Sequence, residues 1–110
     1  MNHVFKALAD PTRRRVLELL RERPRSAGEL ADHFPVSKPT MSAHFAVLQR
    51  AGLIEPTKTG RTILYRLKMS VLEEALLGFA QTLGSKIALF DRIETARRRS
   101  ARRPALKGEA

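Results

Sequence analysis

No cysteine occurs in the 110 residues, there is no tryptophan and only one tyrosine, and no apolar run exceeds a few residues. Without cysteine the chain has no disulfide framework, no thiolate metal ligand, no cysteine nucleophile and no thiol redox sensor. The short apolar runs fall far below the roughly 18–20 residues that a membrane span needs, so no membrane insertion is expected. The opening Met1-Asn2-His3-Val4-Phe5-Lys6 does not lead a charged stretch into an apolar core. No signal peptide is therefore expected, and the cytoplasm is the expected location. Acidic residues are also scarce. There are 11 against 21 Lys plus Arg, a formal net charge of +10. A balance this positive points to a polyanionic partner, either nucleic acid or an anionic membrane surface. The hydrophobic content of 43% is too high for a disordered chain. At this length one domain buries about two-thirds of its unfolded surface and needs no staple.

The charge is unevenly placed. Residues 97–110 hold Arg97, Arg98, Arg99, Arg102, Arg103 and Lys107 against Glu109, which is half of the net charge. With little apolar content, and with Pro104 and Gly108, this stretch reads as a solvated, disordered basic tail. It serves either as a solubilising end or as an extra contact with a polyanionic partner such as DNA or a membrane surface. The expected organisation is a folded domain over 1–96 that is basic on its own, followed by the tail over 97–110.

Helical spacing begins at once. Val4, Phe5 and Leu8 share one side of a short helix over 3–9. Asp10-Pro11 supplies an N-cap and a first-turn proline for a second helix carrying Val16, Leu17 and Leu20 to about residue 21. Ser26-Ala27-Gly28-Glu29 has the form of a capping box and opens a third, short helix with Ala27, Leu30, Ala31 and Phe34 as its apolar positions. A tight turn at 34–37 leads to a fourth helix, capped by Ser37 and striped by Met41, Phe45 and Leu48, with Gly52 as its left-handed C-terminal residue. A short strand over 53–55, a basic turn over 57–61 and a strand over 62–67 make a β-hairpin, with Pro56 held near a sheet edge. Ser70-Val71-Leu72-Glu73 is a second capping box. The longest helix follows, with Leu72, Leu76, Phe79, Leu83, Ile87, Phe90 and Ile93 at spacings of three or four. Gly78 and Gly84 disfavour that helix unless they let another helix approach closely. The fold class is mainly α with a small β-hairpin: a winged helix-turn-helix in the order α-α-α-α-β-β-α.

The fourth helix carries the functional argument. With Met41, Phe45 and Leu48 turned inward, its opposite face holds Pro39, Thr40, Ala43 and Ala46, flanked by Ser42 and His44 and preceded by Lys38. No acidic residue occurs from Lys38 to Gln49. Small residues, hydroxyl tips and no carboxylate are what a helix entering the major groove must offer. Thr40 and Ser42 suit base edges or phosphates. Lys38 and His44 suit phosphates, and His44 alternatively packs between helix and hairpin. In the hairpin Lys58 and Arg61 form a basic wing tip suited to the DNA backbone. Of Arg13, Arg14 and Arg15, one or two are expected to touch phosphate. Arg13 alternatively pairs with Asp10 and serves stability alone.

These residues resemble a known family. Asp10-Pro11-Thr12-Arg13, Leu30-Ala31, the run 37–48, Ala51-Gly52-Leu53-Ile54, and Gly60-Arg61 with Tyr65 and Leu67 are similar to the ArsR/SmtB family of bacterial winged-helix repressors. The likeness covers about residues 3–90. The opening through Arg14 and the Ser37-Lys38-Pro39-Thr40 start are more similar to its SdpR-type branch. The resemblance implies a homodimer built on the first and last helices, which places Val4, Phe5, Leu8, Leu76, Phe79, Leu83, Ile87 and Phe90 at the interface. It also implies a palindromic operator read by the helix over 37–51 and, for that branch, autorepression relieved by a protein antagonist. Metal-sensing members use a Cys pair near the third helix or an Asp/His set on the last one. Here residues 23–29 hold no Cys, and Asp91 and Glu94 have no imidazole partner. No metal site and no cofactor is expected.

Other classes fit less well. RNA readers need exposed aromatics for stacking, whereas five Phe and one Tyr sit mostly at core spacing. A membrane-surface helix keeps cations opposite its apolar stripe, but the last helix carries Glu73, Glu74, Asp91 and Glu94. His3 and His33 lack partners at metal spacing. No nucleophile–base pair or phosphate loop supports an enzyme.

Overall fold

The computed structural model describes residues 2–84, 92 and 94–99. The chain runs α1 (Asn2–Leu8), α2 (Pro11–Glu22), β1 (Arg25–Ser26), α3 (Ala27–Ala31), α4 (Lys38–Arg50), β2 (Ile54–Thr59), β3 (Thr62–Leu67) and α5 (Met69–Thr82). Two compact units divide it, Met1–Leu72 and Glu73–Ala110. The first holds every element from α1 through the hairpin.

Local chemistry sets the helix starts. Asp10 has extended backbone (φ −106°, ψ 131°), and its carboxylate accepts from the Arg13 amide at 3.1 Å, while Pro11 fills the first turn. This bond, first of all, holds the Asp10 carboxyl below its ordinary value of 3.8, against the cost of desolvation and helped by the Thr12 amide and the charge of Arg13. A depressed carboxyl contributes stability that is fully present above its ordinary value and lost as pH falls through its folded one. Asp10→Ala is therefore expected to cost about 1 kcal/mol at neutral pH. The gap from wild type should close on acidification through that range, as read by urea titration at a series of pH values.

The sheet has three strands rather than two, in the order β1-β3-β2. Arg25 pairs with Tyr65 and Ser26 with Leu64. Two residues are too few to show alternation in a sequence, and Ser26 is at the same time the N-cap of α3, accepting from the Glu29 amide at 3.0 Å. Arg25 is a buried cation without a local sequence signal. Its Nε donates to the Leu19 carbonyl at 3.0 Å, and its two terminal nitrogens reach Glu22 at 2.7 Å and Glu29 at 3.3 Å. One guanidinium thus joins the end of α2 to the start of α3. Arg23 also donates to Glu29, and that bond is the main reason the Glu29 carboxyl lies below its ordinary range.

Helix α3 stops at Ala31, earlier than its apolar spacing implied. Bonds from the His33 amide to Leu30 and from the Phe34 amide to Ala31, both 3.1 Å, tighten the exit, and the connection occupies residues 32–37. Helix α4 opens with Ser37 accepting from the Thr40 amide at 3.3 Å. It closes on Gly52 at φ +77°. The Gly52 amide donates to Gln49 at 2.9 Å and the Leu53 amide to Leu48 at 3.1 Å, the paired bonds of a Schellman cap. Leu48 and Leu53 are both fully buried there, as are Leu30, Met41 and Val16 elsewhere in the core.

Strand β2 is longer than expected and runs to Thr59, so the turn is only Gly60-Arg61. Gly60 has φ +61° and Arg61 does not share the positive sign, as a type II′ hairpin turn requires. Pro56 lies on the edge strand, where its missing N–H costs no ladder bond. Helix α5 starts at Met69, which places Ser70 inside the first turn rather than at the cap. It ends at Thr82, not at 93. Gly84 has φ +67°, and its amide donates to the Gln81 carbonyl at 2.9 Å. Among the described residues no atom lies within 4 Å of where a Gly84 Cβ would sit, and its left-handed backbone is that of a helix C-terminal glycine. Residues 94–99 are helical, so the expected start of the tail at 97 falls within helix. Ile87, Phe90, Asp91 and Ile93 lie outside the described residues, as do residues 100–110.

Candidate nucleic-acid interface

Helix α4 buries Met41, Phe45 and Leu48 and exposes Lys38, Pro39, Thr40, Ser42, Ala43 and Ala46. The stripe read at 100° per residue is therefore the inner face of the folded helix. Ser37 Oγ donates to Thr40 Oγ1 at 2.9 Å. A hydroxyl has one hydrogen and two lone pairs, so Thr40 accepts from the cap and keeps its own O–H to donate outward.

The wing is fixed to this helix by rings. Phe45 and Tyr65 pack with centroids 5.1 Å apart at 41°, a tilted contact between α4 and β3. Burial of Tyr65 pushes its phenol upward from the ordinary value. Arg61 stands at the hairpin tip and is exposed. Lys58 is exposed as well, but it sits within β2 opposite Ile63 and not at the tip. The longer strand accounts for the shift: a two-residue turn leaves room for Arg61 alone.

The arginine triplet is engaged inside the chain. Arg13 Nε donates to the Ala7 carbonyl at 2.9 Å and its Nη2 to the Lys6 carbonyl at 3.0 Å. Its Nη1 lies 3.2 Å from His44 Nδ1, 31 residues away in sequence. Arg14 donates to the Leu8 carbonyl at 2.8 Å, and Arg15 pairs with Glu18 at 3.0 Å. Two of the three thus satisfy the C-terminal carbonyls of α1, where cations are favoured. The Asp10 carboxylate meets the Arg13 amide, so the alternative pairing of these two residues runs through backbone. His44 is half-buried beside the exposed face. Its bond to Arg13 was invisible to sequence reading because no spacing rule joins positions so far apart.

Of the residues expected at a dimer interface, Val4 is buried within the single chain, at 5% exposure, and is not available to a partner. Phe5 and Leu8 on α1 are half-buried. Leu76 and Phe79 on α5, and Leu83 just past its end, are 38%, 46% and 67% exposed, and their spacing of three and four keeps them in one row. Ala75 and Leu77 are buried. Ile87 and Phe90 fall outside the described residues.

Two short helices joined by a turn, the second exposing a carboxylate-free face, and a basic two-stranded wing beside it define a winged helix-turn-helix DNA-binding protein. Comparison with known proteins agrees. A helix-turn-helix domain model matches residues 8–57. The transcriptional repressor SdpR of Bacillus subtilis is 43% identical over 76 residues, covering 69% of this chain and 84% of that protein. An ArsR-like transcriptional regulator from Rhodococcus sp. RHA1 superimposes with a TM-score of 0.65 at 35% identity, covering 91% of each chain. The homodimeric winged helix-turn-helix DNA-binding domain of Mb0332 from Mycobacterium bovis shares the fold at 23% identity, with a TM-score of 0.59 over 78% of this chain and 84% of that one. The chain belongs to the ArsR family of winged helix-turn-helix transcriptional regulators.

Proposed function

We propose that the protein is a homodimeric repressor that reads a palindromic operator with α4. The observation that carries this reading is the exposed face of α4, small and hydroxylated with no carboxylate, together with an exposed Arg61 at the hairpin tip. Pro39 and Ala43 permit close approach to the groove. Thr40 and Ser42 address base edges, Lys38 positions phosphate, and His44 stands on the flank of the reading face. Lys58 and Arg61 lie along the backbone. The row Leu76, Phe79 and Leu83 supplies a self-complementary seam, the usual basis of a two-fold dimer. A neighbour with the same fold is a homodimer, which supports this assembly. Likeness to SdpR supports repression. Autoregulation, a protein antagonist that relieves repression and a cytoplasmic, nucleoid-associated location complete the proposal.

The test starts from a duplex selected out of a random library by the full chain. Affinity for it, for random duplex and for single-stranded RNA is then measured across salt concentrations. Selective, salt-dependent binding to one duplex is the expected result, and equal binding to all three would refute the reading. Two variants then separate reading from positioning. Ser42→Ala should weaken the selected duplex by about 1–3 kcal/mol and spare random DNA. Arg61→Ala should weaken both and lower the salt slope by about one. A Ser42→Ala loss equal on both duplexes would remove it from the readers, and an unchanged slope would remove Arg61 from the phosphate contacts.

A further inference from the structure

We infer that Arg13 is a positioning residue for DNA readout, holding His44 in the tautomer that presents Nε2–H to an acceptor on the DNA. The inference rests on the proposal that α4 faces the groove, and it adds what His44 offers there and why.

The chemistry of the contact leaves one assignment. A guanidinium has only donors and keeps its charge at any pH the fold survives. Arg13 Nη1 lies 3.2 Å from His44 Nδ1, so Nδ1 supplies a lone pair. The neutral ring then carries its hydrogen on Nε2. An imidazolium would set one N–H against another at this distance. Arg13 is in turn fixed at further points: Nε on the Ala7 carbonyl, Nη2 on the Lys6 carbonyl and its backbone amide on the Asp10 carboxylate. All these partners belong to α1 or to the cap of α2. The imidazole is thus oriented from outside its own helix, on the flank of the face that carries Thr40 and Ala43. A direct Arg13–phosphate contact would compete with the clamp.

A fixed N–H donor discriminates. It donates to a phosphate oxygen, guanine N7 or O6, adenine N7 or thymine O4, and it clashes with the N4 amino group of cytosine. The base facing His44 in a selected duplex should therefore not be cytosine.

Three measurements decide the matter. Nitrogen NMR of the free full chain at alkaline pH should show His44 with a bare Nδ1 and a protonated Nε2. In Arg13→Met the Nδ1 resonance should move toward that of a solvated ring. A protonated Nδ1, or a resonance indifferent to Arg13→Met, overturns the inference. The second measurement is a double-mutant cycle on the selected duplex. Arg13→Met and His44→Ala should each weaken binding about tenfold, and the double variant also about tenfold, since both remove one link. The salt slope of Arg13→Met should match wild type. A hundredfold loss in the double variant, with a slope lower by one in Arg13→Met, would mean that Arg13 touches phosphate itself. Third, Arg13→Lys keeps the charge and loses the fork; it should behave like Arg13→Met, and full recovery would show that charge alone suffices. His44→Ala leaves both Arg13–α1 bonds in place, so it reads the link even where Arg13→Met unfolds. If the wild-type chain selects no duplex, the proposed function fails, and the NMR measurement still decides the tie between Arg13 and His44.

Discussion

Replacing Leu76 and Leu83 together with Asp is expected to give a folded monomer that binds the selected duplex about 10²–10⁴-fold more weakly than wild type. Both side chains are exposed in the single chain, and Leu83 shows two-thirds of its surface. They stand seven residues apart, Leu76 on α5 and Leu83 just past its end, where the Leu83 amide still donates to the Phe79 carbonyl at 3.2 Å, a separation of about two helical turns. A leucine row of this kind loses free energy in water and regains it when a second copy covers it. Dimerisation makes the second half-site contact intramolecular. Without it each recognition helix binds alone, and the gain from effective concentration is lost. Two carboxylates placed on the seam oppose their symmetry mates, so repulsion adds to the lost burial. Sedimentation at the 12.4 kDa monomer mass, with unchanged helicity and weakened binding, is the expected result. A variant that still sediments as a dimer would place the seam elsewhere.

Leu48→Ala is expected to cost about 2–5 kcal/mol of stability, the range for emptying a closed core site. Leu48 is fully buried on the inner face of α4, and its carbonyl receives the Leu53 amide at 3.1 Å in the helix cap. Its neighbours Met41 and Phe45 hold the same face, and Phe45 is already committed to Tyr65 of the wing. The surroundings therefore have little freedom to collapse into the space. A domain stable by about 5–15 kcal/mol loses a large share of its margin to this one change. Urea unfolding should show a lower midpoint with an unchanged slope. A loss below about 1 kcal/mol would mean the site relaxes and that α4 does not rest on Leu48. Ser42→Ala, six residues earlier on the outer face, should leave the midpoint where it is. The contrast separates what carries the recognition helix from what it reads.

Most of this architecture is legible in the residues. Asp10-Pro11, Ser26 and Ser37 cap helices with their own side chains, so three starts are local events that a sequence displays. The buried stripe of α4 and the left-handed Gly52 are equally local. What stays hidden is pairing across distance. Strand β1 exists because β3 reaches it, and two residues carry no period of their own. Arg25 looks like one more surface cation until the Leu19 carbonyl, Glu22 and Glu29 close around it. Arg13 and His44 are separated by 31 positions and meet only through the packing of α2 on α4. The apolar row after Thr82 keeps its spacing across Gly84, which is why periodicity alone ran a single helix through it. A positive-φ glycine ends it. Family likeness added the expectation of a dimer, but it did not show that Val4 is used up within one chain.

The central claim is that two copies of α4 read one duplex together. Hydroxyl-radical footprinting of the wild-type chain on its selected duplex tests it most directly. Two symmetric protected patches, with centres about 34–36 Å or one DNA turn apart, are the predicted result. A single protected patch at saturation, or uniform protection without symmetry, would contradict the account.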